Sequence, residues 1–312
     1  MLRHLLRTSD LSPADFTRLL DRADAFKRDP YRARERLRSE TVVLYFNKPS
    51  TRTRISFETA VARLGGTPLG VGPNDLQLGR GETIEDTARV VGRYARAFVI
   101  RTFSHADVER FAAACSIPVV NALSDAHHPC QSLADLMTLR EKRGDLRTLR
   151  VAYVGAGNNV VHSLLEAAAL AGMQLAVATP RRWAPDPGVV ANALRLAGAS
   201  GAAIELGEDP HAAVRGADAI YTDAWLSMGD PDSERAERLA LLAPYQVNAA
   251  LFAGARADAI FLHCLPDHRG EEVTAEVADG PRSVIFDQAE NRLHTSVALL
   301  SALLDGALEG AA

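Results

Sequence analysis

The chain has little cysteine. Cys115, Cys130 and Cys264 are the only three in 312 residues and no two form a C-x-x-C pair, which excludes a disulfide framework and a cysteine-based zinc cluster. A reducing, cytoplasmic compartment is the simplest expectation. Long apolar runs are missing too: nothing approaches the ~18 residues of a membrane span, and MLRHLLRTSDLSPADF meets Asp10 and Asp15 before any apolar core. Neither a signal peptide nor a span is expected. Charge of one sign is not in excess, since 35 Lys and Arg stand against 39 Asp and Glu for a net charge of -4. No global field then draws nucleic acid or an acidic membrane, and any anion must be held by local arginines. There is no H-x-H, H-E-x-x-H or acidic cluster, no G-x-x-x-x-G-K loop, no solenoid-type repeat and no low-complexity segment. No metal and no cofactor are expected.

What is present is alternation. A chain of this length with 47% apolar and 24% charged residues holds one large or two ordinary domains. Strand-like runs TVVLYF (41–46), TPLGVG (67–72), RAFVIR (96–101) and IPVVNA (117–122) are separated by helical periods such as Phe57, Ala60, Val61 and Leu64. Thr83 with Asp86 and Ser104 with Asp107 read as helix starts. A long helix from Pro129 to about Arg143 ends at Gly144, and the alternation restarts with LRVAYVG (149–155), QLAVAT (174–179), AAIEL (202–206), DAIYT (218–222), AIFLHC (259–264) and SVIFD (283–287). A last amphipathic helix is expected from about Glu290 to Leu308. The pattern predicts an α/β protein of two domains, each a mostly parallel sheet flanked by helices. The first spans 1–132, with the last helix, about 290–312, packing back on it; the second spans 133–289.

In open α/β sheets ligands sit beyond the carboxyl ends of the strands. There lie NKPSTRTR, RTFSH and LSDAHHPCQ in the first half, and GAGNN, TDAWLSMG and HCLPDHR in the second; the two crevices are expected to face one site. In the first cluster, Ser50 can cap a helix whose free N–H groups and positive dipole end form an anion site. Ser50, Thr51 and Thr53 add hydroxyl donors, and Arg52 a two-pronged grip on phosphate; the alternative is a capped helix with solvated arginines. In HHPCQ, Pro129 suits the first helical position, so His128 and Gln131 lean over one helix end and can polarise a carbonyl and hold an amine, or a histidine simply closes the loop. GAGNN is a poor dinucleotide fingerprint because Val160 stands where the third glycine belongs; Asn159 can instead meet a carboxylate. His263 and Cys264 point to opposite faces of a strand, so they are no thiol–imidazole pair.

Taken together, S-T-R-T-R at 50–54, Arg101 of RTFSH, H-P-x-Q at 128–131, GNN at 157–159, D-x-W-x-S-M-G at 223–229, H-C-L-P at 263–266 and AENR at 289–292 resemble, in their order, the aspartate/ornithine carbamoyltransferase family. The resemblance spans nearly the whole chain. It implies transfer of the carbamoyl group of carbamoyl phosphate to the δ-amine of L-ornithine, giving citrulline and phosphate, in arginine biosynthesis. It implies that 1–132 binds carbamoyl phosphate and 133–289 binds ornithine. The phosphate falls to Ser50, Thr51, Arg52, Thr53 and Arg101, and the carbonyl oxygen to His128 with Thr53 and Arg101. The carbamoyl amine falls to Gln131 and the Leu265 backbone, with Arg292 beside them; Gln77 is given to the phosphate site of a neighbouring subunit in a homotrimer. For ornithine it implies Asp223 and Ser227-Met228 on the α-amino group, Asn159 on the α-carboxylate, and Cys264 with Leu265 at the δ-amine. Arg101, His128 and Cys264 are the catalytic candidates, though the amine's proton can equally go to the leaving phosphate oxygens.

The sequence departs from the family pattern at Ala156 and Ala224, neither a ligand candidate. Rival readings are a relative using aspartate, putrescine or an acylated ornithine, a binding or scaffolding protein on the same fold, and a nicotinamide dehydrogenase. Asp223 favours an α-ammonium over a second carboxylate.

Overall fold

The computed structural model describes residues 1–78, 81–226 and 232–311. The chain divides into two compact units, Met1–Met137 with the segment from Glu290 onward, and Thr138–Ala289.

The first unit holds a parallel sheet of β1 (Thr41–Phe46), β2 (Thr67–Val71), β3 (Ala97–Arg101) and β4 (Val119–Leu123), in the order β2-β1-β3-β4. Its helices are α1 (Pro13–Arg28), α2 (Arg52–Arg63), α3 (Ile84–Tyr94) and α4 (His105–Ala114), followed by α5 (Pro129–Arg143), within which the division falls. β1 and β3 are apolar and buried because both sheet faces are covered, whereas the edge strand β2 is exposed at most positions. Against β1 and β3, Val108 and Phe111 of α4 and Ala88 of α3 close a core in which Phe98 stacks on Phe111 at 4.1 Å. Ser12 caps α1, and the buried Asp15 carboxylate accepts from the Ser12 hydroxyl and from the Glu309 and Gly310 amides, tying the end of the chain to its beginning.

The second unit holds β5 (Arg150–Val154), β6 (Gln174–Ala178), β7 (Ala203–Gly207), β8 (Ala219–Thr222) and β9 (Ile260–His263), all parallel, in the order β7-β6-β5-β8-β9. The helices along it are α6 (Asn159–Ala171), α7 (Pro187–Ser200), α8 (Pro210–Val214), α9 (Arg235–Leu242), α10 (Ala249–Phe252) and α11 (Ala275–Ala278). α6 is mostly apolar and buried along almost its whole length, with His162, Ser163 and Glu166 among the buried side chains.

One expected strand is absent. SVIFD at 283–287 contributes a single bridge from Ser283 to Phe261, and the last helix, α12 (Ile285–Asp305), already begins at Ile285. Asp287 in the first turn suits the positive helix end, so the helix starts earlier than Glu290, and Gly306, at φ 63°, ends it before Leu308.

Both sheets have a point where the winding reverses, between β1 and β3 in one and between β5 and β8 in the other. Loops leaving such neighbours diverge and open a crevice at the carboxyl ends. The first opening is framed by the loops after Phe46 and Arg101, which pair in register. The second is framed by those after Val154 and Thr222.

Candidate active site

In the first unit the loop after β1 is held to β3 by the Asn47 amide, which donates to the Arg101 carbonyl at 2.8 Å. Ser50 Oγ accepts from the Thr53 amide at 3.3 Å, so Ser50 does satisfy an orphan amide although α2 itself starts only at Arg52. Thr51 is exposed and Arg52 half-buried, while Thr53 is buried. Arg54 is turned away: its Nε donates to Glu58 Oε1 at 2.9 Å in an exposed i, i+4 pair. Lys48 lies over the Phe103 ring at 3.7 Å, a cation–π contact joining the loops after β1 and β3.

Deeper in the same unit, Arg292 of α12 is only 2% exposed. Its Nη1 donates to Gln131 Oε1 at 2.6 Å and its Nη2 to Thr53 Oγ1 at 2.9 Å. Arg101 and His128 are buried as well. Burial, then the charges of Arg292, Arg101 and Arg52, hold the His128 imidazole well below its ordinary range. At neutral pH it is therefore uncharged, able to donate one N–H to an oxygen without adding another cation. The turn before it is closed by Ser124 and Asn121: the Ser124 amide donates to the His127 carbonyl at 2.9 Å, and the His127 amide to Ser124 Oγ at 3.2 Å. Asn121 Nδ2 donates to Ser124 Oγ at 3.2 Å. Gln77 is not in this cluster; it is exposed after β2 and lines a cavity of about 460 Å³ with Leu69, Val71, Val90 and Tyr94.

In the second unit Asn158 caps α6 through its Oδ1, which accepts from the Val160 and Val161 amides at 3.0 and 3.2 Å. Its Nδ2 donates to Asp223 Oδ2 at 2.7 Å. The other oxygen of Asp223 accepts from the Cys264 thiol at 2.9 Å, so one carboxylate links the ends of β5, β8 and β9. Asn159, the next residue, is half-buried at the start of α6. Gly157 is required here, because a Cβ would lie 2.4 Å from Pro185 N and 2.6 Å from the Trp183 carbonyl oxygen. His263 is fully buried; its Nδ1 accepts from the Leu265 amide at 2.9 Å, which places its proton on Nε2, 3.3 Å from Glu272 Oε1. This anchor holds Leu265 at φ 60°, a left-handed conformation that costs roughly 1–2 kcal/mol for such a residue. Cys264 follows the end of β9 and is not turned away from His263 as strand alternation predicts: among the described residues Asp223, His263 and Cys264 could together offer ligand atoms to a metal, as could His268, Glu271 and Glu272. Ser227 and Met228 lie outside the described residues.

The family model described as "Aspartate/ornithine carbamoyltransferase, carbamoyl-P binding domain" matches residues 3–141, and that described as "Aspartate/ornithine carbamoyltransferase, Asp/Orn binding domain" matches 147–303. The chain belongs to the aspartate/ornithine carbamoyltransferase family. It is 53% identical, over 98% of both chains, to the ornithine carbamoyltransferase of Acidothermus cellulolyticus. Among solved structures it resembles the ornithine carbamoyltransferase of Pyrococcus furiosus, with a TM-score of 0.92 at 48% identity over 98% of both chains. It also resembles the anabolic ornithine carbamoyltransferase of Campylobacter jejuni, with a TM-score of 0.92 at 36% identity, covering 98% of this chain and 100% of that one.

Two residues in this carbamoyltransferase escaped sequence reasoning. Asn158 sits in the quoted GNN, and its cap position is a signal the sequence carries; its bond to Asp223 is not. Asp135, which accepts from Gln131 Nε2 at 2.7 Å, is signalled only by i, i+4 spacing on α5.

Four buried or half-buried histidines make one prediction about stability. Burial, helped by Arg3, lowers His4 to about 4, and burial likewise lowers His105, His128 and His294. In the unfolded chain each titrates near ~6.5. As pH falls below that value the unfolded state takes up protons that the folded state refuses, so each histidine removes up to about 1.4 kcal/mol of stability per pH unit until it is protonated in the folded state. Asp10, raised by burial, works in the opposite sense, one group against four. The urea midpoint is expected to fall steadily between about pH 6.5 and 5; a flat midpoint there would contradict the burial of these side chains.

Proposed function

We propose that this chain transfers the carbamoyl group of carbamoyl phosphate to the δ-amine of L-ornithine, giving L-citrulline and phosphate. The observation that carries the reading is a neutral His128 kept among Arg52, Arg101 and Arg292, because it supplies an anion site and an uncharged hydrogen-bond donor together. Ser50, Thr51, Arg52, Thr53 and Arg101 hold the phosphate. His128, Thr53 and Arg101 bind the carbonyl oxygen, and Gln131 with the Leu265 backbone binds the carbamoyl amine beside Arg292. Asp223, Ser227 and Met228 take ornithine's α-ammonium and Asn159 its carboxylate; Cys264 and Leu265 meet the δ-amine.

The neutral δ-amine attacks the carbonyl carbon and forms a C–N bond, negative charge gathering on the carbonyl oxygen. Collapse of the tetrahedral intermediate breaks the C–O bond to phosphate, and the nitrogen loses one proton. Donors fixed in advance around the developing oxyanion and the leaving phosphate lower this barrier without reorganising. An alkyl amine has a pKa of roughly 10.4, so removing its proton is part of the cost; the acceptor is either an oxygen of the leaving phosphate or Cys264, whose own thiol proton then passes to Asp223. Arginine biosynthesis in the cytoplasm is the setting proposed.

We further propose a homotrimer in which Gln77 completes a neighbour's phosphate site. The exposed apolar side chains around Gln77, Leu69 at 48%, Val90 at 43% and Tyr94 at 81%, support burial of this face against a second copy.

The test is product formation. With carbamoyl phosphate, ornithine is expected to yield citrulline and phosphate in equal amounts, and aspartate, putrescine and N-acetylornithine little product. An absence of citrulline would sink the assignment.

A further inference from the structure

α5 places Gln131 and Asp135 four residues apart, 1% and 0% exposed. A glutamine amide has one end that only accepts and one that only donates. Here Oε1 accepts from Arg292 Nη1 at 2.6 Å, and Nε2 donates to Asp135 Oδ1 at 2.7 Å. A guanidinium can only donate and a carboxylate only accept, so the reversed amide would set donor against donor at one end and acceptor against acceptor at the other. Because Arg292 also donates to Thr53 Oγ1, the bonds of the run Thr53, Arg292, Gln131, Asp135 all point outward from the guanidinium, with one donor and one acceptor assigned at each. All of its members are at most 2% exposed, where an unmatched pair is costly.

We propose that Asp135 is a specificity-determining residue acting through Gln131. By fixing the amide's polarity from its Nε2 end, as Arg292 does from the Oε1 end, it keeps an acceptor oxygen, with a second lone pair unused by Arg292, for the N–H of a carbamoyl group. An acyl phosphate with a methyl group in that place has no donor to offer and leaves the buried oxygen short of a partner, so acetyl phosphate is rejected although its phosphate and carbonyl match. The inference rests on the carbamoyl phosphate reading above and adds to it which residue enforces the choice of acyl group.

The experiment compares wild type with Asp135→Asn, a change of charge at constant size. An asparagine can accept from or donate to Gln131, so the amide's direction is then dictated from the Arg292 end alone. Calorimetric affinities are measured on the full chain for carbamoyl phosphate, acetyl phosphate and inorganic phosphate. Wild type is expected to prefer carbamoyl over acetyl phosphate by about 100-fold or more, and Asp135→Asn to lose about tenfold or more of that ratio. Inorganic phosphate affinity is expected to stay within about twofold, since no carbamoyl contact is involved. A folded Asp135→Asn protein with an unchanged ratio overturns the inference. Should that variant not fold, Gln131→Met is to show the same collapse of the ratio, and its retention overturns the inference equally. A wild type that fails to bind carbamoyl phosphate overturns the functional reading instead, so the two failures are told apart.

Discussion

Replacing Arg292 by leucine is expected to lower kcat/KM for carbamoyl phosphate by about 10³-fold or more, the scale of losing a preorganised donor to a developing anion together with a charge. Three consequences follow from one side chain. Gln131 Oε1 and Thr53 Oγ1 lose the donors that hold them. One of the positive charges around the proposed phosphate site disappears from a buried position where screening is weak. The strongest of the charges depressing His128 is also gone, so that imidazole moves back up toward its ordinary range and becomes protonated at a higher pH than in the wild type. Arg292→Lys separates these effects. It restores the charge without the two-pronged fork, and is expected to recover the position of His128 but only part of the rate. The measurement is steady-state kinetics at saturating ornithine, with circular dichroism to check folding. A folded Arg292→Leu enzyme within about tenfold of wild type would exclude Arg292 from the donor set.

How much of this was legible in the sequence depends on how far each signal reaches along the chain. The parallel strands were, because a strand buried on both faces is a continuous apolar run: TVVLYF is β1 residue for residue. SVIFD has the same look but a different outcome. Short apolar runs have no decisive period, and this one was settled by its setting, a single bridge to Phe261 followed at once by helical bonding from Gln288 N to the Val284 carbonyl.

The site shows the same divide. Hydroxyls and arginines at the start of α2 are a local signal for the anion site proposed there, and Pro129 announces the helix that carries Gln131. Asn158 and Asp135 could not be ranked by such reasoning. Asn158 matters through Asp223, 65 positions away, and no spacing rule predicts that meeting; the order β7-β6-β5-β8-β9 does, by putting the ends of β5 and β8 side by side. Asp135, inside SLADLM, reads as an ordinary helix carboxylate until its burial and the direction of the Gln131 amide are known. The two arginines of S-T-R-T-R part company for an equally local reason: Glu58 lies one turn beyond Arg54 and takes it.

Asp223→Asn is expected to raise the ornithine KM by about 100-fold or more while leaving carbamoyl phosphate affinity within about twofold. In the folded chain both carboxylate oxygens are engaged, one by Asn158 Nδ2 at 2.7 Å and one by the Cys264 thiol at 2.9 Å, and the side chain is 9% exposed. The change keeps the size and replaces the charge. An α-ammonium entering the site then loses a charge-assisted partner in a poorly screened setting. The substituted amide would also present an N–H₂ group toward either Asn158 or Cys264, forcing one neighbour to rearrange. Because Cys264 donates to this carboxylate, its thiol is also reoriented, and kcat is expected to fall as well as KM to rise. Cys264→Ser discriminates between the two effects: a hydroxyl keeps the bond to Asp223, so ornithine binding is expected to persist, and any remaining loss of kcat is the share of the reaction that needs sulfur. If Asp223→Asn leaves the ornithine KM unchanged, the α-ammonium is held elsewhere, and the preference for ornithine over aspartate must then come from a different residue.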